Sequence, residues 1–164
     1  MTLSPTAAEF LQWLESASWA VHIRQSLWLY PALEIVHITG IAILVGAAFL
    51  FDLRLLGFSE NLPVSGLANH LLPWSKRGLW LIVPSGLLLF ITNAETLGKD
   101  PTFWLKMLLL VIAGLNALVF HKLIYPSRFH SEPEKRLPFP AKISASISIT
   151  VWIAVIACGR LLAY

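Results

Sequence analysis

Residues 35–51 read IVHITGIAILVGAAFLF, seventeen residues without a charge, and they decide the fold of this chain. Glu34 precedes the run and Asp52 follows it. A bilayer core about 30 Å thick is crossed by roughly 20 mostly apolar residues that rise about 1.5 Å each. The run reaches that length once its flanking residues are counted, because long polar side chains near a helix end extend to the headgroups. It therefore predicts a transmembrane helix.

Three further uncharged runs follow the first, at residues 78–94, 107–120 and 143–159. Of all residues 57% are hydrophobic and 13% are charged, whereas a typical soluble domain has about 25% charged residues. The runs are apolar all round, while a helix of a soluble bundle has one apolar stripe. The sequence predicts an all-α fold, a transmembrane four-helix bundle, as a single membrane domain over residues 1–164. The expected spans are about 31–53, 74–94, 103–124 and 142–162.

Residues 4–28 predict an amphipathic helix ahead of the first span. Ser4 is a suitable N-cap, and Pro5 suits the first helical position. Apolar residues recur at helical spacing, and the segment contains tryptophans, which favour the headgroup boundary. We expect an interfacial helix that lies along the membrane and leads into the first span. The alternative is a helix packed into the core.

Small residues and the single cysteine fall inside the predicted spans. Ala42 and Gly46 lie four positions apart, as do Ala154 and Cys158, and this spacing permits close helix contact. Because Cys158 is the single cysteine, the chain has no intrachain disulfide.

The basic residues predict the orientation of the chain in the membrane. Eight Lys and Arg residues lie on the side of the first and third loops, and four lie on the opposite side. Cytoplasmic loops have the excess of basic residues. We therefore expect the first and third loops in the cytoplasm and both termini in the periplasm, with the protein in a bacterial inner membrane. The net charge of +3 is modest and the basic residues lie at membrane edges, so no nucleic-acid partner is implied.

Polar residues of the predicted spans form an outer layer. At about 1.5 Å per residue, His37 lies about 8 Å outward of the midplane, and Glu34, Lys106 and Arg160 lie about 10–12 Å outward. Charges inside a membrane are costly and need partners, so we expect Glu34 to pair with Lys106 or Arg160. His37 shares the helix face of Glu34. This layer is a candidate site for a ligand, a cofactor or a proton. The alternative is that the cations reach the headgroups and His37 bonds a nearby carbonyl.

A second polar layer lies on the cytoplasmic side. Asp52, Arg54 and His121 lie about 12–18 Å inward of the midplane, and His70 lies just beyond. These four residues are a second candidate site, and the alternative is an ion pair at the helix end that anchors the bundle at the interface. The chain has no HExxH, GxSxG, CxxC or glycine-rich phosphate motif, so the sequence predicts no enzymatic reaction.

Three segments indicate a family resemblance: WLYPALEIVHITGIAILVGAAFLFDLRLLG at 28–57, LLPW at 71–74 and GRLLAY at 159–164. They resemble a family of uncharacterised bacterial four-span membrane proteins with no assigned activity. More loosely, a histidine in the first and third spans resembles small b-type cytochromes and copper-resistance membrane proteins.

The cytochrome resemblance implies haem b or a metal ion at His37. His37 is then the axial ligand, Glu34 its hydrogen-bond acceptor, and Lys106 and Arg160 the partners of the propionates. His37 and His121 are about 20 Å apart along the membrane normal, so these two histidines do not share one haem.

The sequence leaves three kinds of function open. The first is a redox or cofactor-binding membrane protein with its site at His37. The second is a transport component in which Glu34, His37 and Lys106 form an outward vestibule and protonation site, and a pore would then need a homo-oligomer. The third is an accessory subunit of a larger membrane complex. The visible absorption spectrum separates the first from the others.

Overall fold

The computed structural model describes residues 5–125 and 138–162, and every regular element in these ranges is a helix. This confirms the all-α class. The elements are α1 (Pro5–Ser16), α2 (Ser18–Gln25), α3 (Leu29–Leu56), α4 (Val64–Thr92), α5 (Ala94–Lys99), α6 (Pro101–Val119), a π-helical turn (Phe120–Ile124) and α7 (Phe139–Leu161).

Three of the described helices are long and apolar enough to cross a bilayer, which indicates a membrane protein. They are Leu29–Leu56, Pro101–Ile124 and Phe139–Leu161, at the first, third and fourth predicted spans. The helix α4 has 29 residues but is not one of the three. Its first half contains Lys76 and Arg77, and Pro84 interrupts its apolar half. The span at residues 74–94 therefore stays a prediction.

The burial pattern of α3 is the reverse of a helix in water. Ile35 and Ile38 are 65% and 63% exposed, whereas Asp52 and Arg54 are 7% and 4% exposed. In soluble proteins charged residues are almost never fully buried unless they are paired, and isoleucine is among the most buried residues. Lipid is the solvent that tolerates such a surface, so the pattern supports a membrane location for α3.

The long helices pack mainly as two pairs, α3 with α4 and α6 with α7, and α3 also contacts α7. The closest approach of α3 and α4 is at two glycines. A Cβ built on Gly78 would lie 2.8 Å from the Leu44 backbone nitrogen and 2.9 Å from the Gly40 carbonyl oxygen. At Gly46 a Cβ would meet nothing within 4 Å. Small residues do mediate close helix contact here, but at Gly40 and Gly78 and not at Gly46.

The predicted N-terminal helix at residues 4–28 is two helices, α1 and α2. The backbone is extended at Ala17, with φ −57° and ψ 135°, and this residue separates them. Pro5 is the first residue of α1, while Ser4 lies outside the described residues. Both helices contact α4, and α1 also contacts α5. The single continuous helix is therefore wrong, and its place along the membrane interface stays a prediction.

A polar network attaches these two helices to the junction of α4 and α5. Arg24 Nη1 donates to Glu15 Oε1 at 3.0 Å and to the Thr92 carbonyl oxygen at 2.8 Å. Glu15 Oε2 accepts a hydrogen bond from the Glu95 backbone N–H at 2.8 Å, across 80 residues of sequence. Glu15 thus satisfies a backbone donor in the first turn of α5, which has no partner within its own helix.

Candidate functional site

A cavity of about 140 Å³ lies between α3, α4, α6 with its π turn, and α7. Its apolar wall includes Phe51, Phe120 and Trp152. A cavity of this size accommodates several water molecules when polar partners are available. Those partners come from all four elements: Asp52, Ser75, Asn116, His121, Ser144 and Ser148.

Asp52 is the group of this cavity that most needs a ligand. Its side chain is buried, and Oδ2 is the one buried side-chain nitrogen or oxygen without a hydrogen-bond partner in the described parts of the chain. Ser148 of α7 lies beside the carboxyl group and lines the same cavity. Burying a carboxylate without a partner is strongly unfavourable. A proton or a cation in the cavity would remove this cost.

The cavity wall formed by α6 and α7 satisfies its own polar groups. Asn116 Nδ2 donates to the Ser144 carbonyl oxygen at 3.0 Å, and Ser144 Oγ donates to Asn116 Oδ1 at 3.1 Å. This reciprocal pair joins the two helices and fixes the orientation of the Asn116 amide. It does not involve the free oxygen of Asp52.

His121 lies at the edge of the cavity, on the π turn that ends the third span. π turns occur frequently at functional sites. The imidazole ring is half-buried and is held between Phe120 and Tyr125, with ring centroids 5.4 Å and 6.3 Å away. It therefore borders both the cavity and the protein surface.

Of the four residues in the predicted inner site, the structure brings together Asp52 and His121. His70 is exposed and does not line the cavity. Arg54 is buried, but its guanidinium donates to the carbonyl oxygens of Leu62 at 2.6 Å and Glu60 at 3.3 Å. Arg54 therefore holds the loop after α3 and forms no ion pair with Asp52, because residues two apart on a helix do not face each other.

His37, a residue of the predicted outer layer, forms a hydrogen bond with α4. Its Nδ1 lies 3.0 Å from Ser85 Oγ, and Ser85 Oγ lies 2.5 Å from the Leu81 carbonyl oxygen. A hydroxyl has one hydrogen, and we assign it to the Leu81 carbonyl. Nδ1–H of His37 then donates to Ser85, and Nε2 keeps a lone pair. The ring lies against the backbone of α4, since a Cβ built on Gly86 would be 2.9 Å from His37 Cε1.

The predicted ion pair of Glu34 with Lys106 or Arg160 is not formed. Glu34 is exposed, and the ion pairs among the described residues are Glu15–Arg24 and Glu95–Lys99. The sequence predicts Glu34 at the depth of Lys106 and Arg160, but in the structure the side chain of Glu34 is exposed.

Lys106 extends sideways toward α7. Its Nζ lies 3.6 Å from the position that a Cβ on Gly159 would take. The ammonium forms no salt bridge with any residue in the two described ranges. Among these residues, Lys106 is a partly buried cation without a counter-ion.

We expect Lys106→Met to raise the stability of the protein, because methionine has a similar length and no charge. The gain should be smaller than the about 2.5–3.5 kcal/mol that lysine costs at the centre of a membrane helix. Thermal unfolding in detergent measures it. Lys99→Met, at an exposed surface pair, is the matched control and should change little. A loss of stability in Lys106→Met would show that the ammonium has a partner.

The expectation of haem b or a metal ion at His37 finds no support in the described residues. No group of three or more His, Cys, Asp or Glu residues in residues 5–125 and 138–162 is arranged to hold a metal ion. His37 does not line the cavity that His121 borders, and about 140 Å³ is below the about 300–1,000 Å³ of a typical ligand pocket. The structure gives no support to the haem expected at His37.

The fold and the site together define the class: an all-α protein with helices able to span a membrane and a buried carboxylate in a cavity between these helices. The chain belongs to the family of unknown function DUF6644, whose family model matches residues 10–164. No curated protein and no solved structure matches the chain. Membership of an uncharacterised family, predicted from the three quoted segments, is thereby confirmed.

Proposed function

We propose that this protein is a membrane transport component that takes up a proton or a monovalent cation at Asp52. The observation that supports this function is the buried Oδ2 of Asp52, which has no partner among the described residues and lies in a mostly apolar cavity with a few polar lining groups. Ionisable groups inside membrane proteins are rare and mark proton and ion pathways. This is the transport function that the sequence leaves open, with its site in this cavity instead of the outer layer.

The charge of the cavity favours a monovalent ligand. Asp52 is the one carboxylate in the lining, so a proton or a single monovalent cation neutralises it. The hydroxyls of Ser75 and Ser148 are oxygen donors, which suit hard cations such as Na⁺. Mg²⁺ or Ca²⁺ would leave a positive charge in the cavity.

The topology that accompanies this function is the one expected from the sequence. We propose that α4 supplies the second of four spans in a bacterial inner membrane, with both termini periplasmic. Asp52 and His121 then lie about 12–18 Å toward the cytoplasm from the midplane, and the cavity exchanges its ligand with that side. Passage through the whole membrane requires a homo-oligomer or a larger complex, because four helices make a narrow bundle.

Purified protein in proteoliposomes tests this function. A pH-sensitive dye inside the vesicles records proton entry under an imposed potential, and radioactive sodium records cation entry. We expect wild-type protein to pass one of the two ions and Asp52→Asn to lose at least about 90% of the flux, as expected when the ion-binding carboxylate is removed. Glu60→Gln, in the exposed first loop, is the control. Wild-type protein that passes neither ion would refute the proposal.

A redox function with haem b or a metal ion at His37 is the second candidate. One observation favours it: Nδ1 of His37 lies 3.0 Å from Ser85 Oγ, a contact that orients the ring as the outer partner of a metal-binding histidine does. The other expected residues are Glu34, Lys106 and Arg160. Protein expressed with ample haem should then show a Soret band that is absent in His37→Ala. A colourless, metal-free protein without ion flux would favour an accessory subunit.

A further inference from the structure

We propose that His121 transfers protons between the cytoplasm-facing surface and Asp52, and this inference rests on the transport function proposed above. His121 and Asp52 line one cavity from different helices, and the imidazole is half-buried. Histidine is the side chain whose ordinary pKa allows it to gain and lose a proton near neutral pH. His121 is thus the proton-transfer residue of a site in which Asp52 holds the ligand.

Two helix interfaces beside the cavity are tightly packed. Between α3 and α4, the backbones touch at Gly40 and Gly78. Between α6 and α7, Ala113, Val151 and Val155 form a buried apolar cluster. Access through His121 is consistent with this packing, because its half-buried ring lines the cavity from the π turn.

The rings around His121 hold it in position for transfer. Phe120 meets the imidazole edge to face, with an interplanar angle of 81°, and Tyr125 meets it at 62°. These contacts restrict the ring to an orientation at the cavity edge. The charged group that acts on it is Lys76 from α4, and Asp52 lines the same cavity.

The transfer is a balanced proton relay. A hydronium ion at the surface protonates one ring nitrogen of His121 and becomes water. The other ring nitrogen releases its proton, directly or through one cavity water, to Oδ2 of Asp52. One N–H bond breaks and one O–H bond forms, so His121 returns to its neutral form and Asp52 becomes a neutral acid. No electrons are exchanged.

Proton uptake after a rapid pH drop tests the relay in detergent-solubilised full-length protein. The Asp52-dependent part of the uptake is the part that Asp52→Asn lacks, while the other titratable groups still bind protons in that variant. We expect this part to be as large in His121→Gln as in wild type but at least about tenfold slower, because the general acid–base group is missing. Added imidazole should restore part of the rate. In His70→Gln, which changes an exposed histidine outside the cavity, the Asp52-dependent part should be as fast as in wild type.

The outcomes separate this inference from the proposed function. An unchanged rate in His121→Gln, with uptake still dependent on Asp52, would overturn the relay and leave Asp52 as the ion-binding group. Uptake with no Asp52-dependent part would overturn both. If His121→Gln fails to fold, His121→Asn is measured, with the infrared carboxyl band of Asp52 as the readout. A band that rises as fast as in wild type would overturn the relay.

Discussion

Gly78→Ala is expected to be strongly destabilising, although alanine normally favours helices. The added Cβ would lie 2.8 Å from the Leu44 backbone nitrogen and 2.9 Å from the Gly40 carbonyl oxygen. Backbone atoms cannot rotate away as a side chain can, so α3 and α4 must separate along their length. Overpacking of this kind costs about 1–3 kcal/mol or more. The free energy of unfolding, measured by denaturant titration in mild detergent, should fall by at least that amount.

Gly46→Ala is the matched control, because it makes the same change on the same pair of helices. A Cβ at Gly46 would have no neighbour within 4 Å. This substitution should stabilise the protein by about 0.5–1 kcal/mol, since glycine in a helix interior is less favourable than alanine by that amount. The two variants are therefore expected to differ in sign. Equal effects would mean that α3 and α4 are not in backbone contact at Gly78.

Asp52→Asn is expected to stabilise the protein while it abolishes ion uptake. Asparagine has nearly the same shape as aspartate but no charge, so it removes the cost of burying the charge of a carboxylate whose Oδ2 has no partner among the described residues. Leaving a buried polar group unsatisfied costs about 1–3 kcal/mol, and more for a charged one. The melting temperature in detergent should rise, in the opposite direction from that of most substitutions at buried positions.

Asn116→Asp makes the reverse substitution in the same cavity. It replaces the amide that donates to the Ser144 carbonyl oxygen with a second carboxylate, so the melting temperature should fall. A fall of similar size in Asp52→Asn would contradict the view that Oδ2 of Asp52 lacks a partner. The comparison therefore tests whether this carboxylate is retained for function at a cost in stability.

The sequence predicts the long helices because lipid penalises charge. The run at residues 35–51 marks the interior of α3, and the structure extends that helix to Leu29 and Leu56. The extension includes Asp52 and Arg54, which protein and not lipid surrounds. The end of α3 is set by local chemistry: Gly57 has φ 109°, a conformation that favours glycine.

The sequence predicts depth in the membrane but not the direction in which a helix turns its side chains. The sequence predicts neighbouring depths for Asp52, His121 and His70. Asp52 and His121 line the cavity, whereas His70 is exposed. The sequence predicts Glu34 beside His37, yet the hydrogen-bond partner of His37 is Ser85, 48 residues away in the chain. Residue depth follows from counting along one helix, whereas direction depends on contacts between distant helices.

Apolar periodicity does not predict short helices. The loop expected between the second and third spans contains α5, only six residues long. Its first turn depends on Glu15, which lies 80 residues earlier in the chain. A helix that short has no period to detect, so its partner in α1 is visible only in the folded chain.

The backbone contact at Gly40 and Gly78 has a mechanical consequence. Two helices in contact without intervening side chains have little room to slide or rotate past each other, so we expect α3 and α4 to move together. The hydrogen bonds between Asn116 and Ser144 join α6 and α7 in the same way. The cavity lies between the two pairs. A change in their separation would therefore change the volume around Asp52.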